Sequence, residues 1–302
     1  MNSVQRPALS GLLLASAGAI AFSGKAIIVK LSYVYGVDAV TVIMYRMLFA
    51  LPFFIAMGLW AERQAIAREN PLTRRDVIDI VGLGFVGYYL SSYLDFLGLQ
   101  YITASLERLI LYLNPTLVVL LGWAVYKKPV QPIRMLAMAV SYSGVLLVFS
   151  HELSLAGANV ALGGSLVFGS AVSYAVYLLY SGQLVQRIGS LRLVGWATSV
   201  ACVCCIAQFL LLRPLSAAVV PVEVLWLGVL NAVACTVAPV LMVMMAIERI
   251  GAALAAQTGM IGPMSTIALG VLLLDEPLNL SIGVGTLLVL SGVFIVSKYG
   301  AK

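Results

Sequence analysis

The amino-acid sequence predicts an all-α integral membrane protein of ten transmembrane helices, arranged as two inverted five-helix repeats. Three observations carry this. Of 302 residues, 62% are hydrophobic and 10% charged, against roughly 25% charged in an ordinary soluble domain. The apolar residues fall into ten long continuous runs, and the second half of the chain repeats the first at a nearly constant offset.

A mean hydropathy of +1.05 leaves too few charges to cover a water-exposed surface of this size. This excludes an ordinary soluble enzyme, a nucleic-acid-binding domain and a disordered chain. The net charge of +6 comes from basic residues in short connections between apolar runs, which is a topology signal rather than a nucleic-acid footprint. One histidine, His151, and four cysteines, three of them in the apolar run Cys202-Val203-Cys204-Cys205, give neither a metal spacing nor a disulfide framework. No metal and no cofactor are expected.

About 20 apolar residues carry a helix across the hydrocarbon. In chain order the expected spans are Leu9–Leu31, Asp38–Trp60, Val77–Leu99, Ile102–Val125, Ile133–His151, Val160–Gly182, Arg192–Arg213, Glu223–Ala246, Gly251–Leu274 and Asn279–Lys298. They are continuously apolar, so a lipid-facing barrel with alternating strands is excluded. The first run is too long for a signal peptide, contains Lys25 and is preceded only by Arg6, so it counts as a span. The even-numbered connections and both termini hold 13 of the 18 Lys and Arg residues, the odd-numbered ones only Lys30 and Arg213. The positive-inside rule then places both termini of a multi-pass membrane protein in the cytoplasm.

Tyr101–Ser150 aligns without gaps with Arg249–Lys298 at an offset of 148, with Pro115 on Pro263, Gly122 on Gly270, Pro129 on Pro277, and Ser143-Gly144-Val145 on Ser291-Gly292-Val293. Span one carries small residues at Gly11, Ala15, Ala19 and Ser23, and span six at Ala161, Ser165, Gly169 and Ser173, at an offset of 150. Such stripes let helix backbones approach closely in lipid. The units are therefore 1–152 and 153–302. Five spans per unit is an odd number, so the second copy enters the membrane from the opposite side. That architecture belongs to secondary transporters, with the site between the repeats.

At this point the chain resembles the drug/metabolite transporter superfamily, EamA type. The residues that carry the resemblance are Phe22 to Leu31 around Lys25 and Lys30, Tyr45-Arg46, Asn114-Pro115, Gly262-Pro263 and Leu274-Asp275-Glu276-Pro277-Leu278. The first copy of the last motif, Tyr126-Lys127-Lys128-Pro129, departs from it by lacking the acidic residue. The resemblance implies a polytopic inner-membrane carrier, often an exporter of amino acids or other small metabolites. An intramembrane enzyme is not expected, since one histidine and no ligand spacing offer neither a nucleophile-and-base pair nor a metal cluster. A metabolite or vitamin importer of the same fold and a lipid scramblase or flippase are the alternatives. The sequence has no phosphate-cradling Walker A pattern, so transport is expected to be facilitative, exchanging or ion-coupled. The expected partners are a small-molecule substrate and membrane lipid, with monomer and homodimer both open.

Ionisable groups inside spans are expensive and normally face a partner or a wet cavity. Lys25, Arg46, Asp95, Glu107 and Arg108 all fall in the first four spans, roughly 6–12 Å from one end at 1.5 Å per residue. They leave one positive charge uncompensated, which a substrate carboxylate completes. Other readings of these charges are that Lys25 snorkels outward and that Asp95 and Arg108 form a structural ion pair. Glu107 is the first candidate for a coupled proton and Asp95 the rival. Tyr88, Ser92 (or Ser91) and Asp95 share one face of span three. Asn114 in span four, Tyr177 in span six and Gln257 in span nine extend the candidate substrate site. Pro115 and Pro263 are expected to kink spans four and nine.

Overall fold

The computed structural model describes residues 5–63, 70–127, 132–156, 158–250, 255, 258, 259 and 261–299. Every regular element among them is helical: α1 (Gln5–Val34), α2 (Ala39–Glu62), α3 (Arg74–Leu83), a π-helical stretch (Gly84–Leu90), α4 (Ser91–Gly98), α5 (Ala104–Leu111), α6 (Asn114–Tyr126) and α7 (Pro132–Ala156). There follow α8 (Ala158–Ile188), α9 (Ser190–Leu212), a 3-10 turn (Leu215–Ala218), α10 (Val222–Ala232), a second π-helical stretch (Val233–Val237), α11 (Ala238–Ile250), α12 (Ile261–Leu274) and α13 (Leu280–Tyr299).

Eight rods are long and apolar enough to cross a membrane: Leu9–Val34, Ala39–Glu62, Arg74–Gly98, Ala104–Tyr126, Met135–Ser154, Asn159–Gly182, Ser190–Leu212 and Val222–Ile247. They match the first eight expected spans to within a few residues. The tenth expected span is matched by α13, a helix of 20 residues, and the ninth differs, its described helix Ile261–Leu274 being apolar but shorter. A helix of 14 residues rises only about 21 Å, less than the ~30 Å hydrocarbon core. Residues 251–254, 256, 257 and 260, which the expected ninth span includes, lie outside the described residues.

Local chemistry sets several boundaries. Asp38 caps α2 by accepting from the backbone N–H groups of Val40 and Thr41. Thr73 and Asp76 form a reciprocal capping box at the start of α3, and Thr103 caps α5 through Leu106. The fourth rod is broken at Tyr112 and Leu113, and Pro115 follows in the first turn of α6, where its missing N–H leaves no bond unmade.

Helix pairs meet through glycine. α7 packs along α13, α2 along α9, α1 against α11 and α12, and α8 against α4, α5 and α6. A Cβ on Gly144 would lie 2.6 Å from the Gly285 carbonyl oxygen, and one on Gly195 2.7 Å from the Gly58 nitrogen, so only glycine permits these approaches. α2 and α9 are also tied at both ends. Arg192 grips the Glu62 carboxylate with Nε (2.7 Å) and Nη2, donates to the Asn70 carbonyl at 2.8 Å, and is joined there by Trp196 Nε1 at 3.0 Å from Glu62. At the far end Arg213 meets Asp38 at 3.2 Å in a more exposed setting.

The two small-residue stripes part company. Ala15, Ala19 and Ser23 are buried against α11 and α12, whereas in the second stripe Ala161 and Ser165 are exposed and only Ser173, donating to the Val86 carbonyl at 2.6 Å, is buried. The packed face of α8 is instead Gly163, Val167, Ala171 and Ala175, with Gly163 meeting the Gly98 backbone. Small residues recur every fourth position on both sides of this apolar helix, and the neighbouring rod decides which side packs.

Candidate functional site

A cavity of about 320 Å³ lies within the bundle, lined on one side by Lys25, Arg46, Asp95, Arg108, Asn114 and Thr236 and on the other by Tyr88, Ser92, Tyr174 and Thr198. Its walls come from α1, α2, the first π-helical stretch, α4 to α6, α8, α9 and the second π-helical stretch. Each π-helical stretch shifts the register of its rod by one residue. The first brings Tyr88 to the cavity and the second brings Thr236.

Charge is gathered on one side. Lys25 Nζ donates to Asp95 Oδ2 at 2.5 Å and lies 3.2 Å from Glu107 Oε1. Glu107 itself is completely buried and stands behind Lys25 rather than in the cavity wall. Asp95 Oδ1 and both Glu107 oxygens make no hydrogen bond, so Lys25 holds Glu107 as an ion pair alone, and such under-satisfied buried oxygens are costly.

The two arginines are held differently. Arg46 is 7% exposed, donates through Nε to Thr236 Oγ1 at 3.0 Å and lies over the Phe96 ring with its guanidinium carbon 5.2 Å from the centroid. Arg108 lies over Tyr112 at 5.5 Å, and its buried Nε has no acceptor. Among the described residues neither guanidinium lies within ion-pair distance of a carboxylate. Asp95 is therefore the partner of Lys25, and the alternative reading of an Asp95–Arg108 ion pair does not hold. Lys25 does not extend to the surface, because two carboxylates hold its ammonium. The site keeps three cations against two carboxylates, and its two cavity-facing arginines make hydrogen bonds or aromatic contacts instead of ion pairs.

The opposite wall is aromatic. The Tyr88 and Tyr177 hydroxyls are 3.3 Å apart, with their rings edge-on at 4.9 Å, and Tyr174 stacks on Tyr177. Tyr177 supports Tyr88 from behind and does not line the cavity. Ser91 and Ser92 both line the cavity, and Ser91 shares a hydrogen bond of 3.0 Å with Ser170, which lines it too. Asn114 points an unpartnered buried Oδ1 at this region. Gln257 lies outside the described residues. Pro263 sits near the start of α12, where Gly262 packs so closely that a Cβ would come within 2.8 Å of both Arg108 Nη2 and the Tyr112 hydroxyl. Ser23 fastens that turn from α1 by donating to the Gly262 carbonyl at 2.8 Å.

Sequence reasoning misses Thr198, Thr236, Ser170, Phe54 and Met47 as lining residues. Single hydroxyls and apolar side chains in membrane helices are too common to stand out, and the register shift at the π-helical stretches is invisible to a 3.6-residue pattern. Among the described residues no group of three or more His, Cys, Asp or Glu side chains is placed to hold a metal ion.

Comparison with known proteins comes to the same place. The model of the EamA-like transporter family matches residues 9–150 and again 161–298. The chain is 30% identical over 305 residues to a Bacillus subtilis (strain 168) protein described as uncharacterized transporter YcbK, covering 96% of this chain and 92% of that one. A solved crystal structure, 16% identical with a TM-score of 0.60, covers 97% of this chain and 98% of its own, so it shares the fold.

Proposed function

The chain belongs to the EamA-like transporter family, and from that premise we propose that it is a secondary carrier for a small metabolite bearing a carboxylate, such as an amino acid or a related compound, and that it exports this compound across the inner membrane. One observation carries the substrate chemistry. The cavity holds an excess cation, and neither arginine facing it has a carboxylate partner. A substrate carboxylate supplies the missing anion, and bidentate pairing with guanidinium is its strongest recognition mode. The tyrosine wall opposite packs the remainder of the molecule.

In this reading ten rods span the membrane as two inverted five-helix units with both termini cytoplasmic, α12 and α13 completing the second unit. Several features recur at the offset of 148 and support it. Left-handed Lys127 after α6 is matched by left-handed Asp275 after α12. The first π-helical stretch, shifted by 148, covers the second. Ser141 Oγ reaches the carbonyl of Val289, 148 residues on. The packed face of α8 lies 148 residues beyond Ala15, Ala19, Ser23 and Ile27. The helix pairings exchange in the same way: α1 with α11 and α12 answers α8 with α4 to α6, while α2 with α9 and α7 with α13 are self-matched. Such a pair of units alternates access by exchanging conformations.

Coupling to protons follows from the two carboxylates that face Lys25, Asp95 and Glu107, with Glu107 as the carrier. A proton held there is released when the substrate or the opening cavity changes what faces Lys25. A lipid-scrambling route gains no support from the lateral groove between α2, α3 and α9. It is lined by apolar side chains such as Leu51, Ile55, Val77, Val81 and Val203 and offers no polar track for a headgroup.

The test is flux of labelled amino acids into proteoliposomes with and without a pH gradient. Gradient-driven flux that is lost in Arg46→Gln and Arg108→Gln, and absent for the corresponding decarboxylated amine, is the expected result. Equal flux of acid and amine overturns the carboxylate reading. Loss of gradient response in Glu107→Gln with its retention in Asp95→Asn assigns the proton to Glu107. Fluorescent-lipid scrambling without solute flux replaces the carrier with the flippase alternative.

A further inference from the structure

The turn between α12 and α13 makes a contact that the substrate site does not require. Asp275 takes a left-handed backbone conformation (φ 51°), and the turn is fixed by the Glu276 N–H donating to the Gly270 carbonyl at 3.1 Å. This sends the Glu276 side chain back into the bundle, where it is 8% exposed. Its carboxylate accepts from the backbone N–H groups of Ala104 (2.6 Å) and Ser105 (3.2 Å) and from the Ser105 hydroxyl (2.8 Å). Gly270 leaves the space, since a Cβ there would stand 2.8 Å from Glu276 Oε2. Glu152 of α7 takes the neighbouring Thr103 N–H and hydroxyl.

A carboxylate that accepts three hydrogen bonds at a helix N-terminus is favoured by charge as well as by geometry. The helix it holds is α5, which carries Glu107 and Arg108 within its first five residues. The contact therefore ties the end of the second unit to the rod that bears two of the five charged site residues. In the repeat, position 128 corresponds to Glu276 and is a lysine, which has no acceptor to offer a helix N-terminus. At the opposite end of the bundle the first and second units are joined instead by Asp76 and Arg187, across α3 and α8.

We propose that Glu276 is a one-sided latch: its bonds to Ala104 and Ser105 hold the cavity closed toward the outer face, and they part when the site opens outward. This rests on the topology proposed above, which puts the α12–α13 turn outside. The inner end is tied by different pairs, Asp76 with Arg187 and Glu62 with Arg192, so closure toward the two faces rests on different residues.

The experiment reads accessibility and needs no substrate. A cysteine at the cavity wall (Ser92→Cys) is labelled by a membrane-impermeant maleimide in right-side-out and inside-out vesicles, against the protein with only its native cysteines. Adding Glu276→Gln keeps the shape but sets an amide donor against backbone donors. It is expected to raise labelling from the outer face about tenfold, the range for losing a charged buried hydrogen bond. Ser105→Ala removes one of the three bonds and shifts labelling the same way by a smaller factor. It decides the matter if Glu276→Gln does not reach the membrane. Arg187→Gln, at the other end, shifts accessibility toward the inner face. Unchanged outer labelling in Glu276→Gln or in Ser105→Ala, or a shift in the same direction for Arg187→Gln, overturns the latch. A normal labelling shift with no amino-acid flux retires the substrate reading alone, and normal flux without a shift retires the latch alone.

Discussion

Removing the Lys25 ammonium is the sharpest perturbation available. Its side chain is 13% exposed, and its partners Asp95 and Glu107 are 4% and 0% exposed, at 2.5 and 3.2 Å. At an effective dielectric near 20, each contact is worth roughly 5–7 kcal/mol of Coulomb attraction before desolvation. Most of that is offset by the loss of hydration, and taking away one partner of a buried set costs about 3–5 kcal/mol net, because the remaining charges stay buried. Lys25→Met is therefore expected to lower the thermal stability of the purified protein markedly. The triple variant Lys25→Met, Asp95→Asn, Glu107→Gln is expected to regain most of the loss, since no buried charge is left in the set. Thermal unfolding in detergent, followed by size-exclusion retention after heating, measures both. If Lys25→Met is as stable as the parent, or the triple variant is as unstable as the single one, the three groups do not form a mutually compensating set and the account of the site fails.

Gly262→Ala pushes a methyl against Arg108 Nη2 and the Tyr112 hydroxyl. A loss of about 1–3 kcal/mol from overpacking is expected, together with weaker substrate binding, read as a raised KM for flux; an unchanged KM removes Arg108 from the binding set. The two ties between α2 and α9 are expected to differ. Glu62→Gln disrupts the bidentate grip of the buried Arg192 and costs about 2 kcal/mol. Asp38→Asn, facing the more exposed Arg213, costs at most about 1 kcal/mol in the same unfolding measurement.

Much of the candidate site is legible in the sequence because charge in an apolar run has few explanations. Lys25, Arg46, Asp95 and Arg108 stand out by that rule alone, and the structure brings them to one cavity with Tyr88, Ser92 and Asn114. The pairing among them is not legible. Asp95 and Arg108 are as compatible with one another as Asp95 and Lys25 until the helices are placed, and only the packing of α1 beside α4 and α5 selects Lys25. Glu276 shows the same limit. Its place in a short motif is visible, but its bonds to Ala104 and Ser105 span more than 170 residues of chain.

The ordering of apolar runs, the bias of basic residues toward one set of connections and the doubled pattern of the chain follow from the sequence by itself, because each reflects the solvent a segment must meet and needs no neighbour to be read. The tertiary structure alone decided which face of α8 is buried, where the rods are broken or shifted in register, and which buried charges satisfy one another. Those outcomes depend on the particular backbone that comes within a few ångströms, and close approach between distant segments is a property of the packed bundle rather than of any one run of residues.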